Sequence, residues 1–227
     1  MTRSTKTATL LLPAGLCALT IAHAQAPLYD PAQLPSITGQ VQQFTLTPRG
    51  DIDGVILSDG TEVKTPPGLS TSVAYSVKPG DTVIIHGLRA AAIPLVQAVS
   101  ITDSTSGKTI VESDPGPGPG PGPGPRPPGP RGVGLSQAAA QGTVRMTVHG
   151  PRGEVNGVLL NDGTVLRLPP DAAVNLASLL QPGKTIVAQG DGVTNAMGKV
   201  LEVREIGASR DSLTPVIAGP PPPPGAR

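Results

Sequence analysis

Apolar positions in this chain come in short runs separated by Gly, Pro and Asp, the pattern of short strands and tight turns. Residues 41–46 and 142–148 read as first strands, each followed by Pro-Arg-Gly. Residues 55–57 and 158–160 run into Asp-Gly, a strong hairpin signal in which Asp and Gly are expected to supply the positive φ angles of the turn. The runs 61–64 and 164–168 end at Pro-Pro, which closes a strand because proline has no N–H for the ladder. Asp171 is placed to cap a helical pattern, with Val174, Leu176, Leu179 and Leu180 on or near one side. The matching stretch 68–77 is richer in Ser, Thr and Val and predicts a poorer helix. Pro-Gly turns lead into 82–85 and 185–188, and last strands at 95–101 and 200–206 follow a Gly-containing loop. The predicted order is three meandering strands, a short helix and two more strands, twice.

The doubling is an internal repeat. Residues 38–87 align without a gap on 141–190 at an offset of 103, with 18 identical pairs in 50. Among them are Pro48/Pro151, Arg49/Arg152, Gly54/Gly157, Asp59/Asp162, Gly60/Gly163 and Pro182 against Pro79. A unit near 70 residues is too long for a solenoid repeat and is the size of a small domain. Two similar domains are therefore expected, at 36–114 and 138–212.

The element order resembles the OB-fold, a five-stranded Greek-key barrel with a helix between strands three and four. The signature Pro-Arg-Gly-acid-aliphatic-acid/amide-Gly, then Asp-Gly-Thr, Pro-Pro and Pro-Gly, also resembles a repeat of uncharacterised exported bacterial proteins. The expected fold class is all-β, two five-stranded OB-like barrels with one short helix each, joined by a Gly/Pro linker. An SH3-like barrel shares the short-strand composition. Neither fold implies an activity.

Composition refines the boundaries. Of 227 residues, 28 are Pro and 29 Gly. Seventeen of these fill the twenty positions 115–134, where strict Gly-Pro alternation excludes both helix and collagen, so a disordered linker is expected there. Residues 213–227 read as a Pro-rich disordered tail. Residues 1–24 have the form of a Sec-type signal peptide: Arg3 and Lys6, an apolar stretch, then Ala22-His23-Ala24. That predicts a periplasmic or secreted protein with no transmembrane segment once the signal is removed. The only cysteine, Cys17, lies in that segment, which excludes disulfides and thiol chemistry from the mature chain.

Charge and aromatic content narrow the function. Region 36–114 has five basic and eight acidic residues, and region 138–212 has seven of each. With one Phe, two Tyr and no Trp, the chain lacks the positive groove and aromatic platforms of single-strand binders, so no nucleic-acid partner is expected. His86 and His149 have no second ligand at metal spacing, no Gly-x-Ser-x-Gly elbow occurs, and Asp-Gly-Thr reads as a hairpin tip rather than a protease motif. No metal, no cofactor and no catalytic residue are expected.

The remaining candidates lie at the barrel rim. In an OB barrel the loops between strands one and two and between strands four and five border the ligand face. The first loop supplies Arg49, Asp51 and Asp53, and in the second copy Arg152, Glu154 and Asn156. The second loop supplies Arg89, and in the second copy Asp191 and Asn195. An arginine there offers a bidentate fork to an anion. The competing reading of the turn pairs each Arg with the acid two residues on, Asp51 or Glu154. The expected function is an exported, non-catalytic binding module of the cell envelope, its partner an envelope protein or an oligosaccharide. A purely structural spacer holding two surfaces apart, or an enzyme of unrecognised type, are the alternatives.

Overall fold

The computed structural model describes residues 30–111 and 135–217. The expected signal peptide, the linker 115–134 and the last ten residues of the tail lie outside the described residues. The first barrel is built from β1 (Ser36–Leu46), β2 (Ile52–Leu57), β3 (Glu62–Lys64), β4 (Thr82–Arg89), β5 (Leu95–Asp103) and a short β6 (Thr109–Val111). The second repeats it with β7 (Ser136–His149), β8 (Val155–Leu160), β9 (Thr164–Arg167), β10 (Thr185–Asn195), β11 (Gly198–Gly207) and a two-residue β12 (Thr214–Pro215). A short helix follows the third strand in each: α1 (Ser70–Ser76) and α2 (Pro170–Asn175).

Both barrels close in the OB manner. β1 pairs antiparallel with β2 through its second half and with β4 through its first, so one long strand serves both halves of the barrel. The circuit closes through a parallel pairing of β3 with β5, Glu62 facing Leu95 and Lys64 facing Gln97. The second barrel closes identically, β9 running parallel to β11 with Thr164 facing Lys199 and Arg167 facing Glu202. The chain is thus a tandem of five-stranded OB-like barrels, each with one short helix and a sixth strand beyond the closed circuit.

The repeated motif residues are explained by backbone geometry. A Cβ on Gly54 would meet the Val63 carbonyl oxygen at 2.2 Å, and one on Gly157 would meet that of Leu166 at 2.2 Å. Only glycine lets the second strand approach the third so closely. At the hairpin tips the expectation that Asp and Gly share the positive φ angles needs correction. Gly60 and Gly163 alone take it, at 86° and 85°. Asp59 and Asp162 work through their side chains, accepting from the Thr61 and Thr164 N–H groups at 2.8 and 2.9 Å.

The helices differ from expectation too. The supposedly poorer segment gives the longer helix, α1, entered through a 3₁₀ turn at Pro67–Leu69 and anchored by Val73, which is fully buried. Asp171 is not the cap of α2. Pro169 occupies that position and Asp171 sits in the first turn. The helix breaks at Leu176, so the apolar residues beyond it do not share a face with Val174, which is 73% exposed. Residues Thr214 to Val216, expected in the tail, instead extend the second sheet: Thr214 pairs with Ile206, and the Val216 N–H donates to the Arg204 carbonyl.

Candidate binding surfaces at the seam between the barrels

Strand alternation assigns two faces to the middle strands. Val158 and Leu160 of β8 and Leu166 of β9 fill the second barrel's own core, with Ile186, Leu201 and Ile206. Their neighbours Leu159 and Val165 point the other way, and together with Val148, Val193 and Val200 they belong to the apolar cluster of the first barrel. On the first barrel the residue matching Leu159 is Ile56. Both are wholly buried. The outer face of strands two and three is where OB barrels ordinarily take their ligands. Here the two barrels press that face against each other.

Equivalent residues meet across this seam, as they do about a local two-fold axis. Gln42 and Arg145, which occupy the same position in the two repeats, are hydrogen-bonded, the guanidinium donating to the Gln42 side-chain oxygen. Gln43 donates to the Gly163 carbonyl at 3.3 Å.

The seam also buries charge. Arg167, 5% exposed, donates through Nη2 to both carboxylate oxygens of Asp53 at 2.8 and 2.6 Å. Its Nε donates to the Leu46 carbonyl at 2.9 Å, and its Nη1 to Asn156 at 3.0 Å. Every face of the guanidinium is therefore used, which is the condition for burying it. Asp53 also accepts from Thr45 Oγ1 at 2.7 Å and from Lys64 Nζ at 3.4 Å. Lys64 continues to Glu62 at 2.8 Å. Glu62, 1% exposed, accepts from the His149 backbone N–H at 3.1 and 2.9 Å and from its Nδ1 at 3.0 Å. Two acids, Asp53 and Glu62, alternate with three basic residues, Arg167, Lys64 and His149, in one chain of contacts. Burial pushes the Glu62 carboxyl up, but the His149 hydrogen bonds and the charge of Lys64 outweigh it and hold the group below its ordinary value.

The candidates read from sequence divide into two groups. Asp53 and Asn156 are drawn into the network around Arg167. Asn195 donates to the Gly50 carbonyl at 3.2 Å, tying the first barrel's rim loop to the second barrel. The reciprocal contact is Gln97, which donates to the Pro151 carbonyl. Asp191 accepts from Arg204 Nε at 2.8 Å. Asp191 and Asn195 both lie within β10 rather than in a loop, because β10 and β11 form a long hairpin whose turn is only Ala196-Met197. Arg49, Asp51, Arg89 and Arg152 are exposed at the rim. The turn pairing anticipated for the arginines is seen at Arg152, whose N–H donates to Glu154 at 2.9 Å while its side chain stands 3.9 Å from the same carboxylate.

Two clefts flank the seam at matching places. One, of about 450 Å³, is lined by Asp51, Asp53, Lys64, Thr65, Ser70 and Thr71, with Pro151 of the other repeat at its edge. Its mate, of about 310 Å³, is lined by Glu154, Asn156, Arg167, Leu168, Pro169 and Glu202, with Pro48 of the other repeat. Among the described residues no group of three or more His, Cys, Asp or Glu is disposed to hold a metal ion, and no helix is long and apolar enough to cross a membrane.

Glu62, Lys64, His149 and Arg167 were not singled out from sequence as functional. One signal was available: Lys64 and Arg167 stand at the same repeat position, a cation inside an otherwise apolar strand. Glu62 has Val165 as its counterpart, so no recurrence marks it.

No protein-family model matches the chain, and no curated protein matches it. Among solved structures, the single-stranded DNA binding protein from Thermus aquaticus aligns with 85% of this chain and 96% of its own, at 14% identity and a TM-score of 0.20. A deletion mutant of that protein aligns with 83% of this chain at the same identity and TM-score. The OB-like assignment rests on this chain's own strand pairing.

Proposed function

We propose that the chain is an exported, non-catalytic binding module of the bacterial cell envelope that takes its ligand at the rim of the seam. One observation carries this reading: both strand-two/three faces are covered, which leaves the rim loops and the clefts beside them as the exposed recognition surface. Arg49, Asp51 and Arg152 stand there unburied, on loops that the opposite barrel braces at Gly50 and Pro151. Loops held from both sides lose less conformational entropy on binding than free ones. The 1–24 segment, and the likeness of the repeat signature to exported bacterial proteins, support the location.

An envelope protein or an oligosaccharide suits polar clefts that mix carboxylates, hydroxyls and a buried cation. Nucleic acid does not, because the rim has no aromatic platform and the described aromatic residues are only Phe44, buried, and Tyr75. The test is capture from an envelope extract with the wild-type chain and with an Arg49→Ala, Arg152→Ala double variant. Loss of a captured protein or glycan in the variant is expected. Identical partner sets would remove the rim from consideration.

A further inference from the structure

The two barrels differ most where the helix meets the first strand. In the first barrel Phe44 faces Val55 across the β1–β2 ladder. Its ring is 5% exposed and belongs to one cluster with Leu69, Val73 and Val77 of the helical segment. In the second barrel the same ladder position is Thr147, facing Val158. Threonine cannot fill a phenylalanine's volume, and the space beneath α2 is a groove of about 480 Å³. Val155, Ala173 and Leu180 form its floor, and the exposed Val174 and Ala177 form its lip. In the first barrel Ile52 is fully covered, whereas its counterpart Val155 is only half-buried. Glu154 and Asp171 line the mouth, and among the described residues no Lys or Arg lines the groove. The pairing of Arg152 with Glu154 is long, at 3.9 Å, and the Arg152 side chain is 90% exposed, so solvent screens it and it offsets little of that carboxylate's charge.

We infer that this groove is a docking site for a partner peptide segment that inserts an aliphatic side chain where Phe44 sits in the first barrel and sets a Lys or Arg against Glu154 and Asp171. The apolar floor supplies affinity through buried area and the two carboxylates select the charge of the flanking residue. A segment flanked by acids would bring like charges together and be rejected. This groove adjoins the rim cleft proposed above, sharing Glu154 with it, but its apolar floor and Asp171 lie outside that cleft.

The probe is a fluorescein-labelled Lys-Leu-Val-Leu-Lys peptide, with a Glu-Leu-Val-Leu-Glu peptide beside it, followed by anisotropy against the full chain. Saturable binding of the basic peptide is expected, at least about tenfold tighter than of the acidic one. Thr147→Phe installs the residue the first barrel already accommodates and should weaken binding by about tenfold or more. Val174→Lys, on the exposed lip, tests the same site without touching the interior and should weaken the basic peptide alone. Arg49→Ala, a rim variant that leaves Arg152 and Glu154 in place, should bind the peptide as the wild type does, so failure of the rim site and failure of this groove are read separately. Equal binding by Thr147→Phe and Val174→Lys, or equal affinity for both peptides, overturns the inference. So does a concentration-dependent dimer abolished by Thr147→Phe, which assigns the groove to a second copy. A tenfold gain in peptide affinity on removing residues 218–227 would assign it to the chain's own tail.

Discussion

The seam and the helical flank of the two barrels have had opposite fates. At the seam, two pairs of matched positions retain matched roles, although Glu62 and His149 have no charged counterpart: Ile56 and Leu159 are both buried, and Lys64 and Arg167 are both cations facing Asp53. At the flank they part. Phe44, Ser70 and Thr71 of the first barrel stand where the second has Thr147, Ala173 and Val174. The first barrel consequently has a filled interior and a cleft with hydroxyls, and the second has an open groove with an aliphatic floor. A charge buried at the seam must keep a partner, whereas a flank open to solvent can exchange one ligand chemistry for another. The proposed rim and groove sites would accordingly take different ligand chemistries.

Substitutions at matched positions put the comparison at risk, the largest effect first. Phe44→Ala empties the filled flank and should cost about 4 kcal/mol, measured by denaturant unfolding. A cost near that of an exposed residue would mean that the first barrel is as open as the second. Arg167→Ala leaves Asp53, Asn156 and the Leu46 carbonyl without their shared donor. About 3 kcal/mol of lost stability is expected, and the unfolding curve should report both barrels together. If the barrels instead melt in two separate steps at wild-type values, the seam does not couple them.

The pH response isolates the first barrel's half of the network. The Glu62 carboxyl lies below its ordinary value of 4.5. A depressed carboxyl contributes stability that is fully present above that value and is lost as pH falls through the folded one. The wild-type chain should therefore lose stability below about pH 4.5 more steeply than Glu62→Gln, which should itself be about 1–2 kcal/mol weaker at neutral pH. Parallel pH curves would contradict the pairing of Glu62 with Lys64 and His149. The smallest effect belongs to the open flank: Thr147→Ala should change stability by no more than about 0.5 kcal/mol, against the several expected for Phe44→Ala.

Much of the scaffold was written in local chemistry. Asp-Gly-Thr, Pro-Pro and the close-approach glycines Gly54 and Gly157 each act within a few residues of themselves, so their pattern reveals the strand order and hence the barrel. The turns after the first strands were legible for the same reason, whereas the long β10–β11 hairpin that takes in Asp191 and Asn195 was not. What sequence pattern could not convey is which apolar residues face the other barrel. Leu159 and Val165 obey the same alternation whether their outward side meets water or a second domain, and only the fold decides. Asp53 and Asn156 looked like ligand contacts because their position in the loop is that of a rim. Their partner, Arg167, is brought to them by the fold, 114 residues from Asp53. The helix was misjudged because its stability comes from Val73 docking on the barrel rather than from the propensities of Ser and Thr.

The central claim is that the ligand faces of both barrels are spent on each other through a buried, charge-paired seam. A double-mutant cycle on Asp53 and Arg167, with Asp53→Asn, Arg167→Met and the pair measured by equilibrium unfolding, tests it most directly. A coupling of about 1.5 kcal/mol or more is predicted for a close, largely buried charge pair. Losses that add to within about 0.5 kcal/mol would show that the barrels do not meet there.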